Sequence, residues 1–217
     1  MNLSNNEKIR ELLIKQMQKN PHLKVEDVFS TSFEKIFAEI DKKLEKGKVI
    51  VAIEGGSASG KSTLAKVIKE IYDCNLFHMD DFFLRPEQRT TERFSEVGGN
   101  VDRERFYTEV INSLVNNKVI KYRPFDCMTQ SLKEPITVSQ KQLTVIEGVY
   151  SMHPSFGEYY NLAIFMDINV DCQKDRIQKR NSPIFAKRFF EEWIPLENIY
   201  FDKTNIRNRC DMVIPIE

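Results

Sequence analysis

Several features that would place this chain in a familiar class are missing. Its four cysteines (Cys74, Cys127, Cys172 and Cys210) are scattered with no C-x-x-C pair, so neither a disulfide framework nor a zinc site is indicated. The three histidines, His22, His78 and His153, show no metal-ligand spacing, and His78 reads as part of strand packing. No apolar run approaches the roughly 18 residues of a membrane span, and no basic-then-apolar leader opens the sequence. An excess of one charge is absent too: Lys+Arg and Asp+Glu both number 32. A polyanion binder normally carries a basic excess, so the expected partner is a small molecule, with neither nucleic acid nor membrane involved. No repeat or low-complexity segment stands out. These absences lead to the expectation of a cytoplasmic, reduced protein. With 217 residues, the chain suits one α/β domain with appendages, burying roughly 70% of its unfolded surface.

What is present is concentrated in one stretch. Residues 55–62 read Gly-Gly-Ser-Ala-Ser-Gly-Lys-Ser, between the apolar run Val49 to Ile53 and a helical pattern starting near Lys61. This is the G-x-x-x-x-G-K-[ST] phosphate-binding loop in its strand–loop–helix context. Glycines let successive backbone N–H groups point into one concavity, and the positive end of the next helix faces the same spot. The loop Gly55, Gly56, Ser57, Ala58, Ser59, Gly60, Lys61, Ser62 and Thr63 is therefore expected to hold nucleotide phosphates. Lys61 reaches the outer phosphates and the Ser62 hydroxyl holds Mg²⁺. ATP and GTP both remain open as the nucleotide.

Residues 1–47 read as a helical extension and 48–217 as the catalytic domain. Ile9, Leu12, Leu13 and Met17 form one apolar stripe; Phe33, Ile36, Phe37, Ile40 and Leu44 form a second. Such stripes usually pack on their own domain, and a homo-oligomer contact stays open. Strands are expected at Lys48–Ile53, Asn75–His78, Lys118–Tyr122, Leu143–Ile146, Leu162–Met166 and Met212–Ile214, with helices interleaved. That alternation predicts a mostly parallel sheet covered on both faces, with ligands at the carboxyl ends of the strands.

The acids that follow those strands carry the chemistry. Asp80 and Asp81 end the second strand and would face the terminal phosphate, where one carboxylate can take a proton from a substrate hydroxyl or hold a magnesium-bound water. Spacing does not decide between them. Glu147 ends another strand, where an acid can ligate magnesium. Asp102 precedes a helix; it reads either as an N-cap or as an acceptor for paired sugar hydroxyls. Arg176 and Arg180, four residues apart, share a helix face and suit the charge on a transferring phosphoryl group. Trp193 and the Phe189-Phe190 pair read as core residues of a C-terminal helix.

Together these motifs resemble the uridine kinase-like family of P-loop small-molecule kinases, whose relatives include nicotinamide riboside kinases and bacterial pantothenate kinases. The resemblance spans roughly residues 48–215. It rests on the loop at 55–63, Met-Asp-Asp-Phe-Phe at 79–83, Asn-Val-Asp at 100–102, Pro-Phe-Asp at 124–126, Ile-Glu-Gly at 146–148 and Arg-x-x-x-Arg at 176–180. It implies a P-loop NTPase fold with a five-stranded mostly parallel sheet and a short lid near 181–190. It also implies ATP as donor and the 5′-hydroxyl of a nucleoside, uridine or cytidine first, as acceptor. By the same resemblance Asp80 matches the general base, Ser62 with Glu147 the magnesium ligands, and Asp102 the ribose-binding acid. Phe125 lies beside the base, and Arg176 and Arg180 sit on the lid helix. The chain departs from the uridine kinases where Gln130 stands in place of a base-reading histidine, Phe125 replaces a tyrosine, and the lid lacks a Gly-Arg-rich sequence. Kinases of nicotinamide riboside, pantothenate or a sugar are the alternatives within enzymes. A nucleotide-dependent switch or ATPase working through the N-terminal helices is the alternative outside small-molecule kinases.

Overall fold

A computed structural model describes Glu11 and residues 31–217; the first apolar stripe, Ile9 to Met17, and His22 lie outside the described residues. The centre of the molecule is a five-stranded, wholly parallel sheet in the order β2-β7-β1-β8-β9. Its strands are β1 (Val49–Gly55), β2 (Cys74–His78), β7 (Leu143–Glu147), β8 (Leu162–Ile168) and β9 (Met212–Ile216). β1 and β7 are buried along their whole length, as near-continuous apolar runs should be when both sheet faces are covered.

Side-chain alternation divides the core in two. Val49, Val51 and Ile53 point to one face, joined by helices α1 (Thr31–Leu44) and α2 (Lys61–Ile71). Phe33, Ile36, Phe37 and Ile40 of α1 are buried there, so the second apolar stripe packs on its own sheet, next to β1 and β9. Ile50 and Ala52 point to the other face. There they meet Phe77 of β2, Phe82 and Tyr150 from loops, Tyr200, Phe106 of α4 (Arg103–Phe106) and Leu114 of α5 (Asn112–Val115), with a π-turn, Tyr107–Ile111, joining those two helices; the short α3 (Thr91–Ser95) buries no residue.

One strand expectation is corrected. Lys118–Tyr122 contributes only β3 (Ile120–Tyr122), which pairs antiparallel with β6 (Ile136–Val138) outside the main sheet. Alongside it lies a small hairpin of β4 (Phe125–Asp126) and β5 (Ser131–Leu132). After β8 comes α6 (Val170–Arg180), capped by the Asn169 side chain. A helical arm follows: α7 (Pro183–Arg188), a π-turn (Phe189–Trp193) and α8 (Ile194–Thr204), then α9 (Ile206–Arg209). Phe189 and Trp193 do not join the main core; with Ile177 and Ala186 they form a small separate cluster under the arm. Among the described residues no helix is long and apolar enough to cross a membrane.

Candidate active site

The site assembles at the carboxyl ends of β1, β2 and β7. β1 runs into the loop through Gly55 at φ 137°, where a Cβ would overlap the Met166 carbonyl oxygen of β8; only glycine passes there. Ala58 (φ 63°) and Gly60 (φ 97°) also take left-handed backbone, curling the loop around the N-terminus of α2. Left-handed residues interleaved with right-handed ones aim N–H groups inward, and the helix end adds its partial positive charge. Lys61 is buried and its Nζ donates to the Gly56 carbonyl at 2.8 Å.

Register brings the acids together. Ile53 and His78 are both the parallel partners of Glu147, so side chains from neighbouring strands meet at one level. The Ser62 hydroxyl donates to Glu147 Oε1 at 2.9 Å, and His78 Nδ1 lies 2.6 Å from the same oxygen. Burial acts to raise the Glu147 carboxyl, but the His78 hydrogen bond, the Lys61 and His78 charges and the Ser62 hydroxyl outweigh it, and the net shift is downward. The hydrogen bond to Glu147 raises the His78 pKa in turn. His78 is therefore more than strand packing.

Asp80 and Asp81 lie in a short 3₁₀ turn, Met79–Phe82, directly after β2. Asp80 keeps solvent-exposed surface, yet protein surrounds it closely. That crowding raises its pKa, the Glu147 charge adds to the rise, and Lys61 and His78 oppose it. Asp81 is also raised by burial, but the charges opposing it are His78, Lys133 and Arg105. Asp80 thus belongs to the phosphate-loop side and Asp81 to the hairpin side.

Asp102 joins this element through its N–H, which donates to the Phe82 carbonyl at 2.7 Å. It is 2% exposed and caps α4, accepting from Arg105 N at 3.1 Å and Arg105 Nε at 3.3 Å. The N-cap reading therefore describes its contacts here. Phe125 is buried, with the Arg89 guanidinium 5.7 Å above its ring. Gln130, at the tip of the β4–β5 hairpin, is exposed and donates to the Cys127 carbonyl.

Arg176 is buried and donates to the Ala58 carbonyl at 3.3 Å, so it braces the loop. Arg180 is exposed on the cleft, stacked 5.3 Å from the Phe189 ring; burial lowers its pKa while the charges of Asp80 and Glu197 raise it. The structure thus brings Lys61, Ser62, Asp80, Glu147 and Arg180 around one cleft, and sets Asp102 behind it.

Besides His78, read from the sequence only as strand packing, three neighbours carried no functional expectation: Arg105, Glu54 and Glu197. Glu54 is the penultimate residue of the otherwise apolar β1, a position where a charge is itself a signal. Fully buried, it accepts from the N–H groups of Gly55, Tyr150 and Met152, each at 3.1 Å, and from Tyr200 Oη at 3.0 Å. Glu197, on α8, accepts from Ser57 N at 2.8 Å.

No family model matches the chain. A curated uridine kinase of Clostridium perfringens is 26% identical over 187 residues, covering 78% of this chain and 88% of its own length. A uridine kinase of Chlamydia pneumoniae is 26% identical over 142 residues, covering 61% of this chain and 62% of that one. Among solved structures, a possible uridine kinase of Bacillus stearothermophilus superposes with a TM-score of 0.59 at 19% identity, over 83% of this chain and 99% of its own, a likeness of fold.

Proposed function

We propose that the chain is a small-molecule kinase of the uridine kinase-like group, whose members it resembles, and that it transfers the terminal phosphate of MgATP to the 5′-hydroxyl of a nucleoside, uridine or cytidine first. The observation that carries this reading is the convergence of Lys61, Ser62, Glu147 and Asp80 at three adjacent strand ends. The loop N–H groups and Lys61 would cradle the phosphates. Ser62 and Glu147 offer the hard oxygen donors that would hold Mg²⁺, whose charge would offset that of the phosphates. Asp80 would accept the proton of the attacking hydroxyl; its raised pKa brings it nearer to neutral pH, where a general base works best. Arg180 would face the transferring group from the arm, with Arg176 holding the loop behind it.

The acceptor is the finer part of this reading, and Asp102 favours a second candidate. With each carboxylate oxygen already accepting from Arg105 and almost no exposure, Asp102 is poorly placed to receive a ribose diol. A small alcohol without a cis-diol is therefore the second candidate acceptor. Incubation with MgATP and a panel of nucleosides, vitamins and sugars, read by mass spectrometry, separates these. One monophosphate identifies the acceptor, and ADP release that no panel member accelerates counts against the kinase reading.

A further inference from the structure

Glu197 lies 140 residues beyond the phosphate loop in sequence, yet it is 4% exposed and its carboxylate accepts both the N–H and the hydroxyl of Ser57. The Gly56–Ser57 peptide is thereby held at both ends. Its N–H donates to Glu197 Oε2 at 2.8 Å, while its carbonyl accepts the Lys61 ammonium at 2.8 Å. The next carbonyl, Ser57 O, accepts from Gln173 Nε2 of α6 at 2.9 Å. Lys61 and Asp80, the groups on either side of the transferring phosphate, both act on Glu197 electrostatically. One turn further along α8, Tyr200 holds Glu54, on the other side of Gly55-Gly56.

We propose that Glu197 is a positioning residue for phosphoryl transfer, orienting the Gly56–Ser57 peptide and through its carbonyl placing the Lys61 ammonium. The proposal rests on the kinase reading above. The physical reason is that a peptide plane turns as a unit: the direction of its N–H fixes the direction of its C=O. A carboxylate accepting a backbone N–H makes a charge-assisted bond, stronger than a neutral one. Without it, the peptide is held only through its carbonyl, and Lys61 has a less fixed partner. α8 continues from the π-turn that carries Phe189 under Arg180, so one helical arm reaches both cations.

Two variants of similar size separate orientation from charge and bulk. Glu197→Gln keeps an oxygen that accepts the Ser57 N–H, whereas Glu197→Met has none, and both lose the charge. ADP release from MgATP is followed with uridine present, MgATP binding by calorimetry, and folding by thermal melting. The expected result is a methionine variant with kcat reduced ~10- to 100-fold and MgATP affinity within ~3-fold of the parent, as for a misplaced but present catalytic group. The glutamine variant should keep kcat within ~5-fold. Equal kcat in the two variants overturns the proposal, as does a loss in Glu197→Met fully explained by a lower folded fraction. If the parent protein fails to bind MgATP, the kinase reading itself falls, which is a different result from either.

Discussion

His78 Nδ1 lies 2.6 Å from Glu147 Oε1, the same oxygen that accepts the Ser62 hydroxyl at 2.9 Å. The histidine thus fixes the rotamer of the acid expected to face Mg²⁺. Groups that orient a metal-facing ligand commonly contribute 10- to 100-fold in metal affinity. Replacing His78 by Ala should leave the fold intact and raise the Mg²⁺ concentration needed for half-maximal turnover by about tenfold. A Mg²⁺ titration at saturating ATP measures it, and an unchanged midpoint would remove His78 from the site.

Asp80→Asn keeps the shape of the cleft and removes the proton acceptor. Turnover with the true acceptor should fall about 10³-fold while MgATP binding persists, as expected for loss of a positioned base. Near-normal turnover in that variant would pass the role to Asp81 or to no residue at all.

Burial lifts the Glu54 carboxyl from 4.5 to about 7, against the hydrogen bonds from Met152, Gly55 and Tyr200 and the Lys61 charge. The folded protein therefore holds this proton more tightly than the unfolded chain. Ionising Glu54 costs stability as pH rises from about 4.5 to about 7. Relative to Glu54→Gln, the parent protein should lose about 3 kcal/mol of stability across that window. Urea unfolding of both proteins at several pH values gives the two slopes; a parent protein that gains stability relative to Glu54→Gln would mean that the donors around the carboxylate outweigh its burial.

Phe37 of α1 is fully buried against the sheet and stacks on Tyr72 with ring centroids 6.4 Å apart. Phe37→Ala should cost about 3–5 kcal/mol in unfolding free energy, since the surrounding side chains close such a cavity only in part. Chemical denaturation measures this. A change under 1 kcal/mol would show that α1 contributes little to the core, against the ~25 cal/mol per Å² expected for buried apolar area.

The central strands and the phosphate loop were legible because each is local. An apolar run, a glycine-rich turn and a helical pattern within about twenty positions state the whole unit. β3 was misplaced because Ile120 and Tyr122 alternate like an inner strand, and only the partner, Ile136–Val138, puts it outside the main sheet. The contacts of His78 and Glu197 were illegible for the same reason. They depend on partners 69 and 140 residues away in sequence, a separation that no periodicity encodes. Asp102 was legible as to position and ambiguous as to purpose, since a cap and a hydroxyl acceptor both call for a carboxylate just before a helix.

β9 is the last described strand in sequence order, yet it lies beside β8 and against α1, one of the first described elements. A ribosome that has released everything up to Arg209 has therefore produced a nascent chain whose β8 edge is still open and whose apolar α1 has no second strand to rest on. Completion of the sheet waits for Met212–Ile216, so a chain lacking β9 would leave the β8 edge unpaired and prone to aggregation.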